Sequence, residues 1–237
     1  MVADARKESV VLIPLRDSVR TRTFPVVNVA LILFNLGLFL YEISLSRREL
    51  ADLVSLYGVV PARFGDLLRG SFVDTSTSIP LVTAMFLHGG WLHILGNMLY
   101  LWVFGDNIED RLGHFRYLIF YLAAGILANL THIYFNRGSE MPTIGASGAI
   151  AGVLGAYLIS FPRARVLTLV PLGIFITTLE IPAIILLLFW FVLQVLNGLG
   201  ANAAAQTVAW WAHVGGFVWG IALLLILRPA PKRRTYY

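Results

Sequence analysis

Among the polar residues inside the apolar stretches of this 237-residue chain, one serine, two histidines and one asparagine together are the ingredients of nucleophilic hydrolysis. Ser147 lies in Gly145-Ala146-Ser147-Gly148, His213 in Trp211-Ala212-His213-Val214-Gly215-Gly216, and His93 with Asn97 in Trp91-Leu92-His93-Ile94-Leu95-Gly96-Asn97. A serine hydroxyl is a poor nucleophile near neutral pH, and a hydrogen-bonded neutral imidazole is the usual base that activates it. The tetrahedral intermediate also needs donors for its oxyanion. The Ser147 backbone N–H, the His93 imidazole and the Asn97 amide are donors of that kind. His93 and Asn97 share one helix face because they are one turn apart.

Each motif alone has a blander meaning. His93 and Asn97 suit a hydrogen-bonded packing pair, and Ser147 suits a cap at a helix start, where backbone N–H groups are free. The nucleophile-elbow pattern G-x-S-x-G is not met, because Ala149 fills its last position. That and the hydropathy exclude a soluble α/β-hydrolase. The main chemical rival is a metal centre built from His88, His93, His132 and His213. On a continuous helix His88 and His93 point about 140° apart, no HExxH occurs, and no carboxylate within a span joins them. No metal is expected. The chain has no cysteine, so disulfides, thiolate sites and cysteine nucleophiles are excluded.

The elements that must position these groups are membrane spans. Apolar residues make up 58% of the chain and charged ones only 13%, with a mean hydropathy of +0.77, far from a soluble domain. Several runs approach the roughly 20 residues that cross a hydrocarbon core. Six are read: about Val26 to Ile43, Leu81 to Phe104 (stopped by Gly105-Asp106-Asn107), Tyr117 to Phe135, Ile144 to Phe161, Pro182 to Leu199 and Val208 to Leu227. The expected class is an all-α polytopic membrane protein, a six-helix bundle over 26–228. A cytoplasmic segment, 1–25, precedes it and a basic tail, 229–237, follows. The first run lacks a small-residue cleavage site and is taken as a retained span. Residues 45–80 are too polar to span and too apolar for an inert linker, which suits an interfacial or re-entrant element. Residues 163–181, interrupted by Pro171 and Gly173, are expected along the membrane surface.

Lysine and arginine set the orientation. Thirteen of the 18 fall in the amino-terminal segment, the second and fourth connections and the residues after Leu227, which places both termini in the cytoplasm. Spans two, four and six then begin on the outer side, so His93, Ser147 and His213 lie at similar shallow depth. Gly148, Gly152 and Gly155 form a smooth stripe on span four, matched by Gly216 and Gly220 on span six, so these helices can touch. The net charge of +5 sits in short flanks beside apolar helices rather than along one polar face, so no nucleic acid is expected as a partner.

With these residues in place the sequence resembles the rhomboid family of intramembrane serine proteases over about residues 25–228, in its prokaryotic form. His93-Ile94-Leu95-Gly96-Asn97, Gly145-Ala146-Ser147-Gly148 and Ala212-His213-Val214-Gly215-Gly216 carry the resemblance, in the right order and spacing. Glu109-Asp110-Arg111-Leu112-Gly113 resembles the turn that rhomboids carry after span two, and His88 matches a histidine often found before the site. The resemblance implies a Ser147/His213 dyad without a catalytic carboxylate, His93, Asn97 and the Ser147 N–H as oxyanion donors, and Gly145, Gly148 and His88 as site support. It also implies no cofactor, single-pass membrane proteins as substrates, a water-filled cavity open to the outer side, and residence in a prokaryotic cytoplasmic membrane. Two departures stand out. Ala151 occupies a position that is often aromatic and packed on the base, and the Trp-Arg pair of many first loops is absent from 45–80.

Two other functions fit parts of the pattern. An inactive rhomboid-like protein that binds membrane clients would use the same fold, but has no need of both Ser147 and His213. A small transporter would use broken helices and midmembrane polar groups, but the chain has no inverted repeat and no paired membrane carboxylates.

Overall fold

A backbone in hydrocarbon must satisfy its own N–H and C=O groups within one segment, so apolar runs of this length become helices. The computed structural model of the chain describes residues 12–65, 75–172, 175–200 and 208–227. Among them eight α-helices follow in order: α1 (Val26–Ser44), α2 (Arg47–Tyr57), α3 (Thr75–Thr83), α4 (Trp91–Leu112), α5 (His114–Phe135), α6 (Ser147–Ser160), α7 (Ala183–Gly200) and α8 (Trp210–Leu227). Helices α1, α5, α7 and α8 are each long and apolar enough to cross a membrane, and α4 qualifies together with the bent helix before it. The protein is a multi-pass helical membrane protein.

Helix α6 is the short one. Its 14 residues make about 21 Å, less than the roughly 30 Å of a hydrocarbon core. It tolerates this because neighbouring helices surround it, and every residue from Gly148 to Leu158 is buried. The expected small-residue stripes meet. A methyl group at Gly216 would lie 2.0 Å from the Gly148 carbonyl oxygen, and one at Gly220 would lie 2.1 Å from that of Gly152. Helices α6 and α8 therefore touch backbone to backbone, which only glycine permits.

The second apolar run departs from the expected helix over Leu81 to Phe104. Helix α3 and the 3₁₀ turn Ala84–Phe86 end first, and the chain bends by 89° before α4 starts at Trp91. Helix α4 then continues through Gly105-Asp106-Asn107 to Leu112. Those polar residues do not stop it because they find partners. The Asn107 side-chain amide donates to Asp17 Oδ2 and Asp106 Oδ1, both at 2.9 Å. Glu109, fully buried, accepts the backbone N–H groups of Val27 at 2.9 Å and Asn28 at 2.7 Å. Helix α1 has no acidic residue in its own first turn. Glu109 satisfies its free amides from 81 residues away, and Asp110 takes the N–H groups of Arg22 and Thr23 just before it.

A small sheet joins the helices. Strands β1 (Ile13–Asp17), β2 (Arg165–Leu172) and β3 (Phe175–Pro182) pair antiparallel in that order, with Ile13 opposite Leu169 and Arg165 opposite Pro182. The segment 163–181, expected simply to run along the membrane surface, is largely this hairpin. Pro182 closes β3 instead of opening α7, whose first amides, Ala183 and Ile184, donate to the carbonyls of Ala164 and Pro162. The spans are helical as expected, and the sheet is an addition to them. Residues 45–80 contain α2, opened by a Ser46/Glu49 capping box with no residue buried, and α3. Residues 1–11 and 66–74 and the expected basic tail at 229–237 lie outside the described residues.

Candidate active site

Ser147 is the first residue of α6, and His213 is in the first turn of α8. The glycine contact between these helices brings the Ser147 Oγ to 2.8 Å from His213 Nε2. Ser147 does not cap α6: the cap position is Ala146, and no side chain closes it. The hydroxyl is thus committed to the imidazole.

The other ring nitrogen defines the tautomer. His213 Nδ1 lies 2.8 Å from Gln194 Oε1, on α7. An amide oxygen only accepts, so Nδ1 carries the hydrogen and the Nε2 lone pair faces the serine. The amide's orientation is fixed at its other end, where Gln194 Nε2 donates to the Trp190 carbonyl at 3.2 Å. Reversing it would set two carbonyl oxygens against each other. Trp190 also packs its ring 5.8 Å from the imidazole. Ala151 left the orientation of the base open in the sequence, and the ring is contacted by Gln194 and Trp190 of α7 and, edge-on at 6.2 Å, by Trp210 of α8. Gln194 and Trp190 were not singled out from the sequence. The available signal was the expense of an amide within an apolar helix.

His93 and Asn97 are the third and seventh residues of α4, so the break before Trp91 puts them within about 9 Å of its start, shallower than a helix from Leu81 would. His93 Nδ1 accepts the Gly89 N–H at 3.3 Å. A neutral His93 then bears its hydrogen on Nε2, which faces Gly145. Gly145 has φ +124°, and a methyl group there would lie 2.6 Å from His93 Nε2. Both conformation and space demand glycine. Asn97 Nδ2 is buried without a partner among the described residues, and it lies 3.7 Å from the same point beside Gly145. An unpaired buried donor costs about 1–3 kcal/mol, which an anionic oxygen bound between Ser147, His93 and Asn97 would offset.

His88 and His93 do not point apart as on one helix. His88 sits in the break, where its N–H donates to Glu42 Oε2 at 3.1 Å, and the two imidazoles meet edge-on at 5.2 Å. Gly148 does not line the site. It packs on Ala128 and Ala212, where α6 meets α5 and α8. His132 stands apart, with Nε2 2.9 Å from the Thr143 hydroxyl and Nδ1 3.3 Å from the Asn136 amide. It ties the loop before Ser147 to α5. Among the described residues no three potential metal ligands converge. A cavity of 620 Å³, walled by residues including Leu92, His93, Asn97, Ser147, Trp190 and His213, opens over the Ser147–His213 contact. A hydroxyl, a base with a defined tautomer and donors beside an open space can carry out acyl transfer.

Comparison with known proteins returns the rhomboid family. The rhomboid domain matches residues 76–230, more than half of the chain, and that range encloses His93, Asn97, Ser147, Gln194 and His213. Rhomboid protein 1, mitochondrial, of Saccharomyces cerevisiae is 29% identical over 167 residues, 65% of this chain and 43% of that protein. Rhomboid-like protein 11, chloroplastic, of Arabidopsis thaliana is 27% identical over 209 residues, 85% of this chain and 65% of its own length. Rhomboid protease GluP of Bacillus subtilis is 35% identical over 140 residues, 59% of this chain and 24% of that protein. The chain spans less than two thirds of the length of each of these relatives.

Proposed function

The chain belongs to the rhomboid family, and from that premise we propose that it is an intramembrane serine endopeptidase that cuts transmembrane segments of single-pass proteins near the outer membrane face. The observation that carries this is the 2.8 Å contact between Ser147 Oγ and His213 Nε2. In the proposed reaction Ser147 attacks the scissile carbonyl carbon while its proton passes to His213 Nε2. The oxyanion accepts from the Ser147 backbone N–H, His93 Nε2–H and Asn97 Nδ2–H. His213 then gives its proton to the departing amine nitrogen, and a water activated by the same imidazole hydrolyses the acyl-enzyme. No cofactor takes part.

The substrate class follows from depth. His93, Asn97, Ser147 and His213 all lie within the first two turns of α4, α6 and α8, and the excess of basic residues supports an orientation with those helix starts on the outer side and both termini in the cytoplasm; a prokaryotic cytoplasmic membrane as the host is part of the same proposal. A peptide bond in an intact helix is shielded by its own hydrogen bonds, so the substrate segment must unwind near that surface. Small or helix-breaking residues are required there.

One experiment tests both parts. The protein is reconstituted in vesicles with a single-span reporter, the product masses locate the cut, and a fluorophosphonate probe reports the nucleophile. Labelling and cutting near the outer end, both abolished by Ser147→Ala and suppressed when leucines strengthen the top of the reporter helix, are expected. Folded protein that is neither labelled nor active would favour an inactive family member that binds membrane clients. A cut near the cytoplasmic end would refute the orientation.

A further inference from the structure

His213 can act as a base only if its ring is held so that the unprotonated nitrogen faces Ser147. The two neutral tautomers of an imidazole are close in energy, so the protein has to choose between them. Helix α6 offers no group for this, because Ala151, one turn after Ser147, has only a methyl. Among the described residues the hydrogen-bond partner of His213 Nδ1 is Gln194 Oε1, at 2.8 Å. Gln194 is itself buried, and its amide is anchored on the Trp190 carbonyl of the preceding turn.

We infer that Gln194 is a positioning residue of the dyad: its side-chain oxygen holds the hydrogen of His213 on Nδ1 and so keeps Nε2 free to take the proton of Ser147. The chain is Trp190 carbonyl, Gln194 amide, His213 imidazole, Ser147 hydroxyl, each group orienting the next. A neutral amide serves where a carboxylate would bring an unpaired charge into an apolar helix, at much greater cost. It orients the ring without becoming a proton acceptor itself. The arrangement also makes the activity depend on α7, which contributes no group that touches the scissile bond. A displacement of α7 that separated Gln194 from His213 would release the tautomer and idle the dyad. This inference rests on the protease function proposed above, but the tautomer can be observed without any turnover.

The test uses full-length protein in detergent with ¹⁵N-labelled histidine, alongside kinetics on the single-span reporter. In the wild type the His213 signals, identified by their loss in His213→Ala, are expected to show hydrogen on Nδ1. Gln194→Leu removes the acceptor with little change of shape. It is expected to mix the tautomers and lower kcat by about tenfold to a hundredfold, with KM within about twofold, as for outer-shell partners that orient a metal-bound histidine. Gln194→Asn keeps an amide but shortens its reach, so it should lose activity in the same way even if the leucine variant fails to fold. Folded Gln194→Leu or Gln194→Asn protein with unchanged kcat, or with His213 still protonated on Nδ1 alone, would overturn the inference. A wild type that cuts nothing, yet loses its Nδ1–H signature on Gln194→Asn, would refute the protease function and leave the positioning contact standing.

Discussion

At the end of the bundle that carries the sheet, the buried carboxylate of Glu109 accepts two backbone N–H groups from α1 and lies 2.5 Å from His114 Nδ1, while Asp17 accepts from Asn107 and the Tyr157 hydroxyl. At the end that carries Ser147 and His213, Asn97 Nδ2 is buried with no partner among the described residues, and His93 Nε2 faces the space beside Gly145. Both ends place polar groups where they are expensive. The first spends them on joining α1, α4, α6 and β1. The second leaves donors open beside a 620 Å³ cavity. Polar residues at the sheet end should therefore matter to stability, and those at the cavity end to turnover.

The largest expected effect tests the cavity end. Ser147→Ala or His213→Ala should abolish cleavage of a single-span reporter, while thermal unfolding in detergent shifts stability by no more than about 1–2 kcal/mol. The double variant should be no worse than either single one, because the two groups act as a unit. Near-normal turnover by purified His213→Ala would remove the dyad.

Next in size are the oxyanion donors. His93→Ala and Asn97→Ala are each expected to lower kcat by about tenfold to a thousandfold. Asn97→Ala should cost little stability, since the amide nitrogen it deletes has no partner among the described residues. Full turnover by both folded variants would return the pair to a packing role.

Glu109→Ala sharpens the contrast from the other side. It strips two helix-start amides of their acceptor and should cost about 3 kcal/mol or more, read as a lower midpoint in thermal unfolding. The protein that remains folded should still turn over. A large loss of kcat at unchanged stability would mean that the two ends are not separable in this way.

The smallest effect concerns pH. Burial holds the Asp17 carboxyl above its usual range, and the hydrogen bonds from Tyr157 and the backbone offset this only in part. A carboxyl raised in the folded state supports folding below its unfolded pKa and loses that contribution as pH rises through its folded value. Stability should therefore decline upward from about pH 4. Asp17→Asn, which keeps an acceptor for Tyr157, should flatten that slope. An identical pH dependence in the two proteins would contradict the assignment.

Much of the membrane part is legible in the sequence because its signals are local. Span α1 starts at Val26 as expected, α5 ends at Phe135 and α8 at Leu227, since hydropathy over a contiguous run sets them. The glycine stripes of α6 and α8 are legible for the same reason, as periodic spacing within single helices. The break before Trp91 was not, because His88-Gly89-Gly90 interrupts an apolar run too briefly to register. The hairpin was not either. Pro171 and Gly173 read as interruptions of an apolar stretch, and β1, its partner strand, is about 150 residues earlier in the chain.

The sequence by itself determined which side chains are available for chemistry and on which apolar runs they stand, because composition and periodicity are properties of neighbouring residues. Ser147 and His213, 66 positions apart, were paired from motifs on helices that had to touch. Only the tertiary structure decided what stands behind them. Gln194 meets His213 because α7 packs against α8, Glu109 caps a helix 81 residues away, and Tyr157 reaches Asp17 across 140. Each of those contacts joins a polar group to a partner with no fixed offset in the chain. A buried polar group must be satisfied by whatever the packing brings near, and packing is a property of the whole bundle.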